Sequence, residues 1–328
     1  MIIHQGIEKL HLQNTIVTLG IFDGVHLAHQ SLLSYLREYA AKDNRKSVLI
    51  TFLPHPRTVI QPYAEPLKLL STQVEKTKLI EMQGIDHLVI IPFTKDFSEV
   101  TALQFINEIL VDKLGVRELV LGYDHHFGKN REGNIEFLKN NQSKFAFKVT
   151  EIPKLVIKDV AVNSSNIRRM LALGDVKSAC ELLGRNYSIS GIVIKGNQLG
   201  RTIGYPTANI MVENDSKLIP ANGVYVVELK IENIEQRTKN IELSTNNYEL
   251  TTNNYKGMLN IGFRPTVDGK KLTIEVNIFD FDEEIYGQEL TIYLIAKLRD
   301  EQKFDGLEGL KKQLAIDKLA SNKVLKIH

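Results

Sequence analysis

One cysteine, Cys180, in 328 residues excludes an intrachain disulfide. Charge of one sign is equally scarce: 41 Lys plus Arg against 39 Asp plus Glu leave a net charge of +2, with no long block of either sign. Such a chain carries no electrostatic footprint for nucleic acid, and no nucleic-acid partner is expected. No apolar run approaches the ~18 residues of a membrane span, so no membrane partner is expected either. The opening MIIHQGIEKLHLQ lacks the apolar core of a secretory signal, which makes a reduced, cytoplasmic setting the expectation. What is present is an ordinary globular composition, 43% hydrophobic and 24% charged, in a chain long enough for two domains.

Apolar, β-rich runs alternate with helical patterns in the first half. Residues 15–20, 47–52, 87–92 and 118–122 read as buried strands. Between them, 29–41 puts Leu32, Leu33, Leu36 and Ala40 on one helix face, and 101–114 does the same with Phe105, Ile106, Ile109 and Leu110. Parallel neighbours need crossover connections, so this alternation predicts an α/β domain with a parallel sheet. Two short helices, 167–173 and 176–183, are separated by Gly174 and closed by Gly184. Beyond about 186 the texture changes to strands at 187–195, 224–231, 255–261, 272–280 and 289–296, uninterrupted by a helix until 307–314. That pattern predicts a mainly antiparallel sheet or small β-barrel with a C-terminal helix, and domains at 1–185 and 186–328. The near-repeat STNNY (244–248) and TTNNY (251–255) reads as a long hairpin loop or strand extension, with no function assigned.

In the first half, VTLGIFDGVHLAHQ (17–30) runs from a strand through a glycine-punctuated turn into a helix. Gly20 and Gly24 let backbone approach a ligand, and the unpaired amides of the following helix favour an anion. His26 and His29, three apart, project from one side of the first turn and could donate to phosphate oxygens during nucleotidyl transfer. The spacing alone fits a pair of surface or capping histidines equally well. His55 with Arg57, and the stretch DHHFGKNREG from Asp124, follow other strands at the sheet edge where ligands of open α/β sheets sit. In NSSNIR (163–168), helix capping is enough to explain Ser164, whereas Arg168 could hold a phosphate bidentately.

In the second half, GIVIKGNQLGRTIGYPTAN (191–209) spaces Gly191, Gly196, Gly200 and Gly204 so that a loop could fold over phosphates, although an unliganded turn and strand has the same signature. Thr207 and Asn209 alternate in an extended run, and their hard oxygens suit Mg²⁺. Glu275 lies opposite the core-facing Leu272, Ile274, Val276 and Ile278; it is either a solvated strand glutamate or a base for an attacking hydroxyl.

GIFDGVHLAH, TFLPHP, GYDHHFGKNREG and NSSNIRRMLALGD resemble the adenylyltransferase half of bacterial bifunctional riboflavin kinase/FMN adenylyltransferases, the FAD synthetases. GRTIGYPTAN, ANGVYVVEL, NIGFRPT, IEVNIFDF and KLRDEQKF resemble their riboflavin kinase module over most of 187–317. The resemblance implies a Rossmann-like nucleotidyltransferase domain followed by a six-stranded riboflavin kinase barrel. It also implies FAD synthesis from riboflavin through FMN, with ATP and Mg²⁺ consumed or used in both steps. By this resemblance His26, His29 and Arg168 serve adenylyl transfer, with Gly20, Phe22, Asp23, Gly24, Asp124, Ser164 and Ser165 at the ATP and phosphate positions and His55 and Pro56 on the flavin side. Glu275 becomes the kinase base, Thr207 and Asn209 the Mg-ATP ligands, and Gly196, Gly200, Arg201, Gly204, Pro206, Arg299 and Phe304 the ATP and flavin wall.

The chain departs from the family pattern at Ala28 (usually Gly), His125 (usually aromatic), Asn163 and Ser165 (usually Ser and Thr) and Asn277 (usually His). Two alternatives therefore stand beside the bifunctional reading: a riboflavin kinase with an impaired first module, and a non-catalytic flavin sensor. The partners expected are small molecules; oligomeric state is not legible.

Overall fold

The computed structural model describes residues 1–63, 65–141, 144–196, 198–232, 254–266 and 269–326. Its contacts divide the chain into two compact units, Met1–Ser164 and Ser165–His328.

The first unit is built on six strands: β1 (Ile2–Gln5), β2 (Thr15–Leu19), β3 (Lys46–Leu53), β4 (His87–Pro92), β5 (Val116–Gly122) and β6 (Lys148–Ile152). They pair in parallel in the order β1-β4-β3-β2-β5-β6. The helices are α1 (Leu27–Lys42), α2 (Pro56–Ile60), α3 (Gln73–Glu81), α4 (Lys95–Ser98), α5 (Ala102–Gln104) and α6 (Ile135–Asn140). Strand residues alternate between two apolar layers, as a period of two requires. Ile16, Leu49, Leu88 and Val120 pack with Leu32, Leu33 and Leu36 of α1, whereas Val17, Ile50, Val89 and Leu119 pack with Phe105, Ile106 and Ile109. Direction of travel across the sheet reverses between β2 and β5, which opens a crevice at their carboxyl ends.

The expected buried face of 101–114 is present, but its geometry is not α-helical throughout. After α5 the segment Phe105–Val111 is a π-helix, with Asp112 N donating to Asn107 O and Leu114 N to Ile109 O, each five residues back. Two strands of this sheet escaped the sequence reading, β1 and β6. Both lie at the sheet edges, where a half-exposed, partly polar strand has no continuous apolar run to show.

A small hairpin, β7 (Val156–Ile157) and β8 (Val160–Ala161), precedes α7 (Ser164–Ala172) and α8 (Val176–Leu183). Gly184, at φ +70°, ends α8 in the left-handed cap the sequence predicted. Tyr187 N donates to the Cys180 sulfur at 3.3 Å, fastening α8 to the first barrel strand.

The barrel is closed in the order β10-β13-β12-β11-β14-β9, with β9 (Tyr187–Ile194), β10 (Ala208–Met211), β11 (Gly223–Glu232), β12 (Tyr255–Thr266), β13 (Gly269–Ile278) and β14 (Glu289–Arg299). All six ladders are antiparallel. A single-turn helix, α9 (Leu199–Thr202), interrupts the strands and corrects the expectation of none before the end. The final helix, α10 (Leu307–Val324), runs longer than the 307–314 expected. Of the Asn-rich repeat, 244–253 lie outside the described residues, and Tyr255 opens β12. Among the described residues, no helix is long and apolar enough to cross a membrane.

Candidate active sites

In the first unit, β2 ends at Gly20 and the chain turns sharply before α1. Phe22 (φ 54°), Gly24 (φ 80°) and Val25 (φ 37°) all sit in the left-handed region, strain that a buried, heavily bonded turn can hold. His26 caps α1: its Nδ1 accepts from His29 N at 3.4 Å, and the two imidazoles stack 3.6 Å apart at 13°. Phe22 lies on the other side of His29, 4.6 Å between rings. Both histidines therefore face one way at the helix start, as their spacing predicted, with His26 buried.

Asp23 is turned inward. Its carboxylate accepts from Leu70 N and Ser71 N at 3.0 Å each and from Ser71 Oγ at 3.3 Å, while Ser71 Oγ accepts from Gly24 N. Ser164 Oγ, from the last residue of the first unit, donates to the Asp23 carbonyl at 3.0 Å and braces the turn. Lys76 reaches the same turn from α3, its Nζ 3.2 Å from Ile21 O and from Thr51 Oγ1. Neither Ser71 nor Lys76 was singled out by sequence. Thr72-x-x-Glu75 is a helix-capping pattern that could have marked the start of α3, but the partners of Ser71 and Lys76 lie 25 to 55 residues away.

A cleft of about 830 Å³ opens beside this turn, lined by Gly20, His55, Pro56, Arg57, Asp124, His125 and Arg131. His55 caps α2 through Nδ1, which accepts from Arg57 N at 3.1 Å, with Pro56 at the first helical position. One wall is a run of aromatic contacts from Phe52 and Phe93 through Phe97 and Phe105 to Phe127, with ring centroids 5.6 to 6.4 Å apart. The His125 ring stacks on Phe127, and its buried Nε2 has no partner among the described residues. Burial, aided by His126 and Arg131, pushes the His125 pKa down to about 4, so the ring is neutral at pH 7. An uncharged planar ring is the species that can stand where an aromatic usually stands. Ala28 sits within the first turn of α1. Ser165 and Arg168 lie on α7, in the second compact unit.

In the barrel, register creates a lateral row: Asn209 of β10 pairs with Glu275 of β13, which pairs with Asn260 of β12. Directly opposed residues share a face. Ile274, Val276 and Ile278 on the other face are buried, as the alternation predicted. A cavity of about 260 Å³ is lined by this row together with Thr207, Asn277, Arg299 and Phe304. A second, of about 300 Å³, is lined by Arg201, Pro206, Thr207 and Tyr286, so Thr207 borders both. Asn260 was missed because its link to Glu275 is a matter of register, which the sequence does not show.

The glycines explain part of this geometry. A Cβ on Gly196 would lie 2.2 Å from the Asn209 amide nitrogen, and one on Gly200 would lie 2.1 Å from the Tyr205 carbonyl. Gly204 has φ +81°. Gly191 lies inside β9, within the strand expected at 187–195, and a Cβ there would be 2.5 Å from Met211 O. Asn277 donates from Nδ2 to the Pro206 carbonyl.

Arg299 is held by the C-terminal helix. Its Nε and Nη2 donate to both oxygens of the buried Asp317 at 2.7 to 3.2 Å, Gln313 Nε2 adds a bond to Asp317 Oδ1, and the guanidinium lies 5.7 Å over the Phe304 ring. The oxygens around this cavity that could meet a divalent cation include those of Thr207, Asn209 and Glu275, alongside the neutral amides of Asn260, Asn277 and Gln302 and the carboxylate of Glu301. No group of three or more His, Cys, Asp or Glu that could hold a metal ion occurs among the described residues. Donors that are mostly neutral, with no such cluster, fit Mg²⁺ arriving with substrate phosphates better than an all-protein cage.

The model of the FAD synthetase family matches residues 8–166, and that of the riboflavin kinase family matches 183–325. Two curated relatives named bifunctional riboflavin kinase/FMN adenylyltransferase illustrate the extent of similarity. The protein of Buchnera aphidicola subsp. Acyrthosiphon pisum is 35% identical over 96% of this chain and 95% of its own. That of Escherichia coli strain K12 is 33% identical over 94% and 92%. A solved structure from Streptococcus pneumoniae, described as a macrolide-efflux protein, has a TM-score of 0.85 at 31% identity, covering 98% of this chain and 99% of that one. Two family matches in succession, and relatives that align over nearly the whole of both chains rather than over one half, show that the chain belongs to the bifunctional riboflavin kinase/FMN adenylyltransferase family.

Proposed function

We propose that the chain makes FAD from riboflavin in two ATP-dependent steps, with functional modules at 1–185 and 186–328 and a cytoplasmic setting. In the first step the riboflavin 5′-hydroxyl attacks the γ-phosphorus of ATP, giving FMN and ADP. Glu275 accepts the hydroxyl proton, and the cross-strand neighbours Asn209 and Asn260 hold its row in place. Thr207 and Asn209 would hold Mg²⁺, which supplies charge neutralisation on the transferring phosphate. Arg299 and Phe304 shape the flavin side, and Gly196, Gly200, Arg201, Gly204 and Pro206 the nucleotide side.

In the second step an FMN phosphate oxygen attacks the α-phosphorus of ATP, and pyrophosphate leaves. This nucleophile is already an anion, so the step needs positioning and charge stabilisation more than a base. His26 and His29 meet the phosphates at the α1 start, with Gly20, Phe22 and Gly24 shaping the turn, Asp23 and Ser164 bracing it, and Asp124, Ser165 and Arg168 contributing to nucleotide binding. His55 and Pro56 lie on the flavin side of the aromatic-walled cleft.

The observation that carries this reading is the pairing of the stacked His26 and His29 in one unit with the Asn209–Glu275–Asn260 row in the other. The test is to incubate purified protein with riboflavin, ATP and Mg²⁺ and to follow flavins by chromatography. FMN followed by FAD supports the reading. FMN alone leaves a kinase with a silent first module, and neither product favours a binding protein.

A further inference from the structure

Lysine is seldom fully buried, yet Lys76 is only 6% exposed. A leucine or methionine of similar volume would avoid the cost of desolvating an ammonium. What the charge meets is specific. From the turn after β2 it faces the Ile21 carbonyl and the Asp23 carboxylate; from β3 it faces the Thr51 hydroxyl, which itself donates to Ile21 O at 3.2 Å. The residue rides on α3, whose first turn is locked by reciprocal bonds between Thr72 and Glu75. The turn is thus fastened to one short stretch of chain at two points: Asp23 and Gly24 to residues 70–71, and Ile21 to Lys76.

We propose that Lys76 is a positioning residue for adenylyl transfer, holding the Gly20–Gly24 turn through the Ile21 carbonyl and keeping a fixed positive charge behind it when an anionic nucleotide binds. The proposal rests on the adenylyl-transfer reading above. A charge buried behind a rigid turn is already oriented and acts in a low-dielectric setting, the condition under which electrostatic stabilisation is largest. A neutral amine keeps two N–H groups and could still bond both oxygens, so loss of the proton separates the charge from the contact.

Burial lowers the Lys76 pKa from 10.5 to about 8, with Asp23 pulling it partly back. Because the folded value lies below the unfolded one, the unfolded chain binds the proton more tightly between about pH 8 and 10.5, and titration of Lys76 stabilises the fold as pH rises through that window. On this proposal adenylyl transfer falls across the same window. The two trends have opposite sign, so unfolding coupled to this group does not mimic the effect.

The experiment follows FAD formation from supplied FMN and ATP with Mg²⁺ by the full-length protein from pH 7 to 9.5, with riboflavin phosphorylation by the same samples as a parallel reading. Phosphate monoesters lose their second proton with a pKa near 6, below the window. For the natural sequence, kcat/KM for ATP should fall about tenfold between pH 7 and 9, as a single group near pH 8 requires. Lys76→Arg, which stays charged, should lose that fall. Lys76→Met should be at least about tenfold slower at pH 7 and flat with pH. A flat profile for the natural sequence, or a fall of unchanged midpoint in either variant, overturns the proposal while leaving adenylyl transfer in place. No FAD from FMN at any pH overturns the adenylyl-transfer reading and this proposal with it.

Discussion

Asn277 donates from Nδ2 to the Pro206 carbonyl at 2.7 Å, joining β13 to the residue just before Thr207. Proline at 206 brings no N–H of its own, so this bond is a direct constraint on how Thr207 and Asn209 enter the cavity. Asn277→Ala should slow FMN formation about three- to tenfold, the worth of one hydrogen bond, mostly through a higher KM for ATP. Asn277→His, restoring the residue the family usually carries, keeps a ring N–H donor and should retain most of the activity. Steady-state kinetics on riboflavin phosphorylation distinguish the two.

Glu275→Gln keeps the shape of the Asn209–Glu275–Asn260 row and removes its proton acceptor. FMN formation should drop by about two to four orders of magnitude, while conversion of supplied FMN to FAD continues unchanged. A parallel loss of both activities would show that the two chemistries share a site.

Asp317→Ala leaves Arg299 without its bidentate partner. Both groups are largely removed from water, with side-chain exposures of 4% for Asp317 and 16% for Arg299. Breaking a buried pair from one side costs about 3–5 kcal/mol, and Asp317→Asn, which can accept one of the bonds, should cost less. Urea unfolding followed through the barrel's own transition measures the difference.

His125 gives the first unit an acid sensitivity. Its folded pKa of about 4 lies below the ordinary 6.5, so the unfolded state binds more protons between those values. Its contribution to stability is complete above about pH 6.5 and is lost as pH falls toward 4. His125→Phe should flatten the melting temperature across pH 4 to 6.5, by an amount equivalent to about 1–3 kcal/mol, measured by thermal scans at fixed ionic strength.

Ala28 stands inside α1, where alanine is favoured over glycine by up to about 1 kcal/mol. Ala28→Gly should lower the melting temperature by about 2–4 °C and change FAD formation by less than about threefold. A tenfold gain in FAD output would instead mark the extra methyl as the defect.

Local periodicity carried much of this architecture. The apolar strands, the buried faces of α1 and of Phe105–Val111, and the alternation that sets Glu275 apart from Ile274 and Val276 were all legible, because each depends on neighbours within a few residues. The histidine pair was legible for the same reason, both members lying on one helical turn. The unread parts involve distant partners: Asn277 with Pro206, Arg299 with Asp317, Lys76 with Ile21, and the lateral alignment of Asn260 with Glu275. A sequence lists these donors and acceptors without saying which meet. The π-helix was hidden differently, since widening a helix by one residue per turn barely alters which apolar residues face inward.

Closure of the barrel sets where the chain can be cut. Strand β9 is bonded on one side to β10 and on the other to β14, so it is the seam of the cylinder. A fragment begun before Tyr187 keeps the seam sewn. One begun at Gly196 would bare the backbone of β10 and β14 at once, turning an edgeless fold into a sheet with two adhesive margins, prone to pairing with its own copies.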